Sequence, residues 1–201
     1  MNSVWTRRAL ISLLLAALVL CAILLFKLYE RQFLMTSGST GTADVGGPFE
    51  LVNQDGAKVT EKDFEGQLLL IYFGFTFCPD ACPTALGVMG AAIEKLDVAG
   101  ERVTPILISI DPARDTPQAL KDYVGNFHPR MVGLTGTDEQ IAKVAKEYRV
   151  FYQKAPGATG EDYLMDHSTL IYLVGPDGKF LTYFGPQATP DEVAEAIRKF
   201  L

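Results

Sequence analysis

The chain has 201 residues, 48% of them hydrophobic and 21% charged, with a formal net charge of -6 and a pI of about 4.9. That length suits one domain of common size plus a short appendage. An acidic surface repels phosphate and no Lys/Arg run offsets it, which excludes nucleic acid as an expected partner, and 3 cysteines are too few for a small disulfide-stapled scaffold.

From the N-terminus, Ala9 to Phe26 is almost unbroken Leu, Ile, Ala and Val. Such a run predicts a transmembrane anchor over residues 9–29, preceded by a cytoplasmic segment, 1–8, whose Arg7 and Arg8 set the orientation. Lys27 and Arg31 on the far side act against that orientation. The run is longer than a signal-peptide core and no small-x-small site follows it, so the anchor is expected to stay uncleaved. Leu20 is too large to precede an acylated lipoprotein cysteine, and Cys21 reads as a small apolar filler. Residues 30–46 read as a flexible tether, since Thr36 to Gly47 is rich in Ser, Thr and Gly. The folded domain is expected over 47–201.

Within the domain, Phe49 to Val52 and Val59-Thr60 flank Asp55-Gly56 and predict a hairpin. Leu68 to Phe75 is a continuous apolar run, the pattern of a strand buried on both faces. Pro83 to Leu96 reads as a helix and Thr104 to Ile110 as a second buried strand. Thr116-Pro117 opens a helix with Leu120, Tyr123, Val124 and Phe127 on one face. Met131 to Leu134 is a short strand. Thr137 and Gln140 form a capping box for a helix with Ile141, Val144, Ala145 and Tyr148 inward. Pro176-Asp177-Gly178 joins a last hairpin, Thr169 to Val174 with Lys179 to Phe184. Thr189 and Glu192 cap a final helix. A βαβ start closed by an antiparallel hairpin and a helix is an α/β, thioredoxin-like order.

The chemistry concentrates at Cys78-Pro79-Asp80-Ala81-Cys82-Pro83, where the first buried strand runs into a helix. Pro83 suits the first helical position, which makes Cys82 the expected N-cap. Both sulfurs would then lie at the positive end of a helix, which lowers thiol pKa. Two such thiolates can form a disulfide or hold a soft metal, Cu(I) or Zn(II). Structural zinc usually takes four protein ligands, whereas two sulfurs and one imidazole suit three-coordinate copper. His167 precedes the last hairpin, and in a thioredoxin-like fold that loop faces the cysteine loop. His128, in Asn126-Phe127-His128-Pro129, reads as an exposed loop histidine.

Near the site, Asp80 and Asp166 add negative charge, either to favour a metal or as solvated loop carboxylates. Met165 reads as packing, and so do Phe73, Phe75 and Phe77. Asp115 and Thr116 read as a helix cap, and Arg114 is placed to pair with Asp111 or Asp115.

These stretches resemble the Sco/SenC family of copper proteins, which help to assemble the copper-A centre of cytochrome c oxidase. The resemblance is carried by Val59 to Gly66, Leu70 to Pro83, Ser109 to Pro117 and Asp166-His167-Ser168, and covers the chain from about Gly46 onward. It implies Cys78, Cys82 and His167 as ligands of one copper ion per chain, Cu(I) or Cu(II). The implied partner is the oxidase subunit that carries the copper-A site, with another periplasmic copper chaperone as a possible donor. With no Arg/Ser-rich transit peptide ahead of the anchor, the expected location is a bacterial inner membrane, single-pass, with the C-terminal domain in the periplasm.

A metallochaperone, not an enzyme, is therefore the first expectation. The alternative is a thiol–disulfide oxidoreductase that cycles Cys78 and Cys82 to keep the oxidase's copper-site cysteines reduced. Three residues between the cysteines, where redox loops usually have two, and the presence of His167 favour copper. A peroxidase would want a lone reactive cysteine. A redox or copper sensor shares the same coupled chemistry.

Overall fold

The domain opens with the expected hairpin, β1 (Glu50–Asn53) and β2 (Lys58–Thr60), paired antiparallel with Leu51 opposite Val59. In this computed structural model the described residues are 45–157, 160 and 162–201, with Leu20 alone before them. The expected cytoplasmic segment, the anchor apart from Leu20 and nearly all of the tether lie outside the described residues. Among the described residues no helix is long and apolar enough to cross a membrane.

After a 3-10 turn at Glu61–Phe64 comes β3 (Leu68–Gly74), every residue of which is buried. Helix α1 (Ala81–Glu94) returns the chain, through a second 3-10 turn at Asp97–Arg102, to β4 (Val103–Ser109). Helix α2 (Pro117–Val124) leads to β5 (Val132–Thr135), and α3 (Asp138–Glu147) follows. A short ribbon, β6 (Tyr152–Lys154) with β7 (Met165–His167), precedes the closing hairpin β8 (Ile171–Val174) and β9 (Phe180–Phe184) and helix α4 (Pro190–Arg198).

Seven strands make one sheet in the order β2-β1-β5-β4-β3-β8-β9. Its centre is parallel, with β3 along β4 and β4 along β5, and β8 runs antiparallel to β3. This is the thioredoxin-like α/β arrangement. The central strands read as apolar runs because both of their faces are covered. The capping boxes at Thr137/Gln140 and Thr189/Glu192 are both formed, and each satisfies backbone N–H groups that a helix start leaves unpaired. Gly178 has φ of 76°, the left-handed value that the Pro176-Asp177-Gly178 turn requires.

Register fixes the functional end. Gly74 lies opposite Ser109, so the two parallel strands finish level with each other. Tyr72 pairs with Ile171 at the start of β8, so the residues just before β8 lie beyond that same end. The cysteine loop, the β4–α2 loop and the segment entering β8 therefore converge at the carboxyl edge of the sheet, where ligands of open α/β sheets gather.

Three sequence expectations need correction. Helix α1 starts at Ala81 with Asp80 as its N-cap, so Cys82 lies inside the first turn and Pro83 is its third residue, not its first. Proline fits there because N–H groups throughout a first turn lack intrahelical partners, so a missing one costs little. Phe127 lies beyond the end of α2. The segment around His167 is a strand, β7, paired with β6, not a plain loop.

Candidate metal centre

The loop after β3 tightens at once: the Cys78 N–H donates to the Phe75 carbonyl at 3.2 Å, and the Thr84 N–H reaches the Asp80 carbonyl at 3.2 Å. With Cys78 two residues before the N-cap Asp80, the Cys82 backbone N–H donates to the Cys78 sulfur at 3.3 Å. Cys82 is fully buried, while Cys78 is half-buried at the rim. Both thiols are free.

His167 is the third member. Its Nε2 lies 3.7 Å from the Cys82 sulfur, and its Nδ1 lies 2.9 Å from the Ser168 carbonyl oxygen. A carbonyl only accepts, so Nδ1 carries the proton and Nε2 presents its lone pair to the cysteines. Tyr72 and Phe75 meet the imidazole ring edge-on, each with ring centroids 5.9 Å away, and hold its plane. The β6–β7 ribbon sets its height, with Tyr152 opposite His167, the Ser168 N–H donating to the Phe151 carbonyl and the Phe151 N–H to the Ser168 hydroxyl.

The two thiols do not ionise alike, contrary to the expectation that the helix end lowers both. The hydrogen bond from Cys82 pulls Cys78 down to about 4, against the opposing effect of burial. Cys82 moves the other way: it keeps its proton because it donates to Cys78 and because it is buried. The pair thus carries one negative charge, held at the rim.

Sulfur and imidazole atoms of Cys78, Cys82 and His167 all lie within 4.8 Å of one another, and among the described residues no other trio of His, Cys, Asp or Glu is so gathered. Bonds of about 2.3 Å to sulfur and about 2.1 Å to nitrogen, opened to a trigonal angle, would separate S from N by about 3.8 Å. The 3.7 Å between the Cys82 sulfur and His167 Nε2 matches that separation. Two soft sulfurs and one imidazole fit a soft ion of low coordination number.

Behind the trio lies a polar network that the sequence only partly disclosed. Asp115 is fully buried and is not the helix cap; Thr116 caps α2 by accepting from the Ala119 N–H. Asp115 instead accepts from the Thr76 N–H at 3.2 Å, the Thr76 hydroxyl at 2.6 Å and the Ser109 hydroxyl at 2.6 Å. It therefore pins the residue two before Cys78 to the end of β4. Burial raises its pKa even against these donors. Asp111 pairs with Arg114 Nε and accepts from the Tyr163 hydroxyl at 2.6 Å. The Arg114 guanidinium lies over Tyr163 at 3.6 Å and Phe77 at 4.6 Å. Tyr163 stands just before β7, so this cluster ties the histidine's ribbon to the β4–α2 loop and to the flank of the cysteine loop. No motif marked Tyr163; only its distance in sequence from Asp111 hid it.

The remaining candidates sort simply. Asp80 and Asp166 are exposed. Met165 packs against the core, and Phe73 and Phe75 are buried in it, whereas Phe77 is 57% exposed beside Cys78. His128 is only 8% exposed, which overturns its reading as an exposed loop histidine. Its Nδ1 accepts from the Arg130 N–H at 3.2 Å, and burial lowers its pKa, with Arg130 adding to the shift. It takes no part in the trio.

The family model of SCO1/SenC matches residues 37–201. The chain belongs to the SCO1/SenC family. It is 48% identical to the human "Protein SCO1 homolog, mitochondrial" over 155 residues, covering 76% of this chain and 52% of that one. The chain thus spans about half the length of that curated relative. Among solved structures, Arabidopsis thaliana ScoI with copper bound superposes with a TM-score of 0.73 at 43% identity, covering 78% of this chain and 99% of that one. BsSco, described as a member of the Sco family of cytochrome c oxidase assembly proteins and as carrying a disulfide switch, has a TM-score of 0.63 at 28% identity, covering 80% of this chain and 94% of that one. The family's relatives include mitochondrial and bacterial proteins.

Proposed function

We propose that this SCO1/SenC chain is a copper metallochaperone that holds one copper ion through the sulfurs of Cys78 and Cys82 and the Nε2 of His167, and yields it for assembly of the copper-A centre of cytochrome c oxidase. The observation that carries the reading is the trio itself: two thiols and an imidazole lone pair within 4.8 Å. Copper bound to a family member of 43% identity supports it. Two thiolates and a neutral imidazole give a net charge of about -1 with Cu(I) and about zero with Cu(II).

Release is as important as binding. Three protein ligands leave a coordination position open, so an incoming thiolate can join before any resident ligand leaves. Cys78 at the half-buried rim is the ligand most open to exchange, whereas Cys82 is sealed beneath it. Residues 9–29 would anchor the chain in a bacterial inner membrane, with residues 30–46 as tether and 47–201 reaching into the periplasm.

A second reading, thiol–disulfide exchange, is favoured by the low pKa of Cys78 and the contact of its sulfur with the Cys82 N–H. Cys78 would attack a partner disulfide and Cys82 would resolve the mixed disulfide. Mixing the copper-loaded chain with a reduced, metal-free copper-A domain separates the two. Growth of the copper-A absorption with loss of copper from this chain supports the chaperone. Absence of transfer, together with reduction of an oxidised copper-A domain by the metal-free dithiol chain, supports the reductase and overturns the first reading.

A further inference from the structure

The ribbon that carries His167 stands apart from the seven-stranded sheet: β6 and β7 form a small sheet of their own, three residues against three. A two-stranded ribbon is marginal by itself, so its place is set by what it touches. Tyr152 and Met165 pack against the core, and such apolar contacts are non-directional: they hold the ribbon down without fixing how far it slides. A directional anchor sits at its entrance, four residues before His167. Tyr163 is 7% exposed, and its hydroxyl donates to Asp111 Oδ1 at 2.6 Å. Asp111 is 4% exposed and takes Arg114 Nε on its other oxygen, while the Arg114 guanidinium lies 3.6 Å from the centre of the Tyr163 ring. The same guanidinium lies 4.6 Å from the ring centre of Phe77, next to Cys78. One cluster thus joins the strand of the imidazole to the loop of the rim thiol.

We propose that Tyr163 is a positioning residue for His167, and that its bond to Asp111 sets how strongly the site holds Cu(II) relative to Cu(I). The inference rests on the copper reading above. Cu(I) is soft and tolerates few ligands, so two thiolates without a well-placed imidazole still hold it, though more weakly; Cu(II) depends more on nitrogen and on a defined geometry. An imidazole kept at its post therefore favours Cu(II) more than Cu(I). The bond that keeps it there is charge-assisted and buried, the stronger and shorter kind. Without it the ribbon retains its apolar contacts, but His167 samples more positions, and the cost falls most on the ion that needs the nitrogen most.

The test is Tyr163→Phe in the full-length chain, which keeps the ring against Arg114 and removes only the hydroxyl. Each ion is titrated anaerobically into the reduced chain against a competing chelator. Cu(II) affinity should fall about tenfold to a hundredfold, the range for outer-shell partners, and Cu(I) affinity by a smaller factor, so that the reduction potential of the bound copper rises. In a His167→Ala background the same change should weaken neither ion further, because it acts through that imidazole. In the copper-free chain the Ser168 N–H, bonded to the Phe151 carbonyl, and the Ala155 N–H, bonded to the Leu164 carbonyl, should exchange with deuterium about tenfold faster, while the amides of β3 and β4 keep their rates. Equal weakening of the two ions, further weakening in the His167→Ala background, or faster exchange in β3 and β4 alike would overturn the proposal, as marks of a general loss of packing or of an effect on the cysteines. Unchanged affinities or unchanged ribbon exchange would overturn it too. A parent chain that takes up neither ion would bring down the copper reading together with this one. A parent that binds both, beside a variant that keeps their ratio, overturns only this one.

Discussion

Loading the reduced site with Cu(I) should release one proton per ion near neutral pH, and the count follows from the structure. Cys78, its pKa lowered to about 4 through the hydrogen bond from Cys82, is already a thiolate at pH 7. Cys82, raised by that same bond and by burial, still holds its proton and must lose it to become a ligand. One proton on the product side makes the apparent affinity rise about tenfold per pH unit, or about 1.4 kcal/mol. Between pH 7 and pH 8.5, where histidine side chains are generally neutral, the gain should be about thirtyfold. The sign is fixed: the loaded form gains as pH rises and loses as it falls. The assay is a competition titration at several pH values with a chelator of known protonation constants. A slope near two would mean that Cys78 is an ordinary thiol. A slope near zero would mean that Cys82 is already ionised. Either result would refute the division of charge within the pair.

The same asymmetry predicts that iodoacetamide labels Cys78 well before Cys82 at pH 6 in the metal-free chain, as peptide mapping would show; equal labelling would contradict it. Gly74→Ala should cripple metal binding and cost roughly 1–3 kcal/mol of stability, because its Cβ would press on the Cys82 sulfur and the Tyr72 ring at under 3 Å. Asp115→Ala should destabilise the domain by roughly 3 kcal/mol in urea unfolding, since it leaves the Thr76 N–H and two hydroxyls without their acceptor. A fragment beginning at residue 47 should fold and bind copper without the N-terminal region; a fragment that fails to fold would count against that boundary.

What the sequence disclosed was whatever one stretch of chain specifies for itself. The apolar runs of β3 and β4, the capping boxes at Thr137 and Thr189 and the turn at Pro176-Asp177-Gly178 are local signals, and each formed as read. Cys78, Cys82 and His167 were legible because reactive residue types are few in this chain, and the structure brings the three together. The parts not legible depend on pairing between distant segments. The β6–β7 ribbon joins two three-residue strands with no alternating pattern, and nothing local marks such strands. Asp115 looked like a cap because Thr116 and Pro117 follow it, but Ser109 and Thr76 reach it only once β3 and β4 end level. His128 looked exposed because Asn126 and Pro129 flank it, yet the turn sets its Cβ against Gly90 of α1 and the residue is buried. The opposed ionisation of the two thiols was hidden as well: a helix terminus acts on both, and only the sulfur-to-sulfur hydrogen bond and the burial of Cys82 separate them.

The most direct test of the account is an anaerobic Cu(I) competition titration of the reduced full-length chain, run beside His167→Ala and Cys78→Ser. The account predicts one tightly held copper per parent chain and much weaker binding in both variants. A parent that fails to compete for copper, or a His167→Ala chain that retains it undiminished, would contradict the three-ligand site.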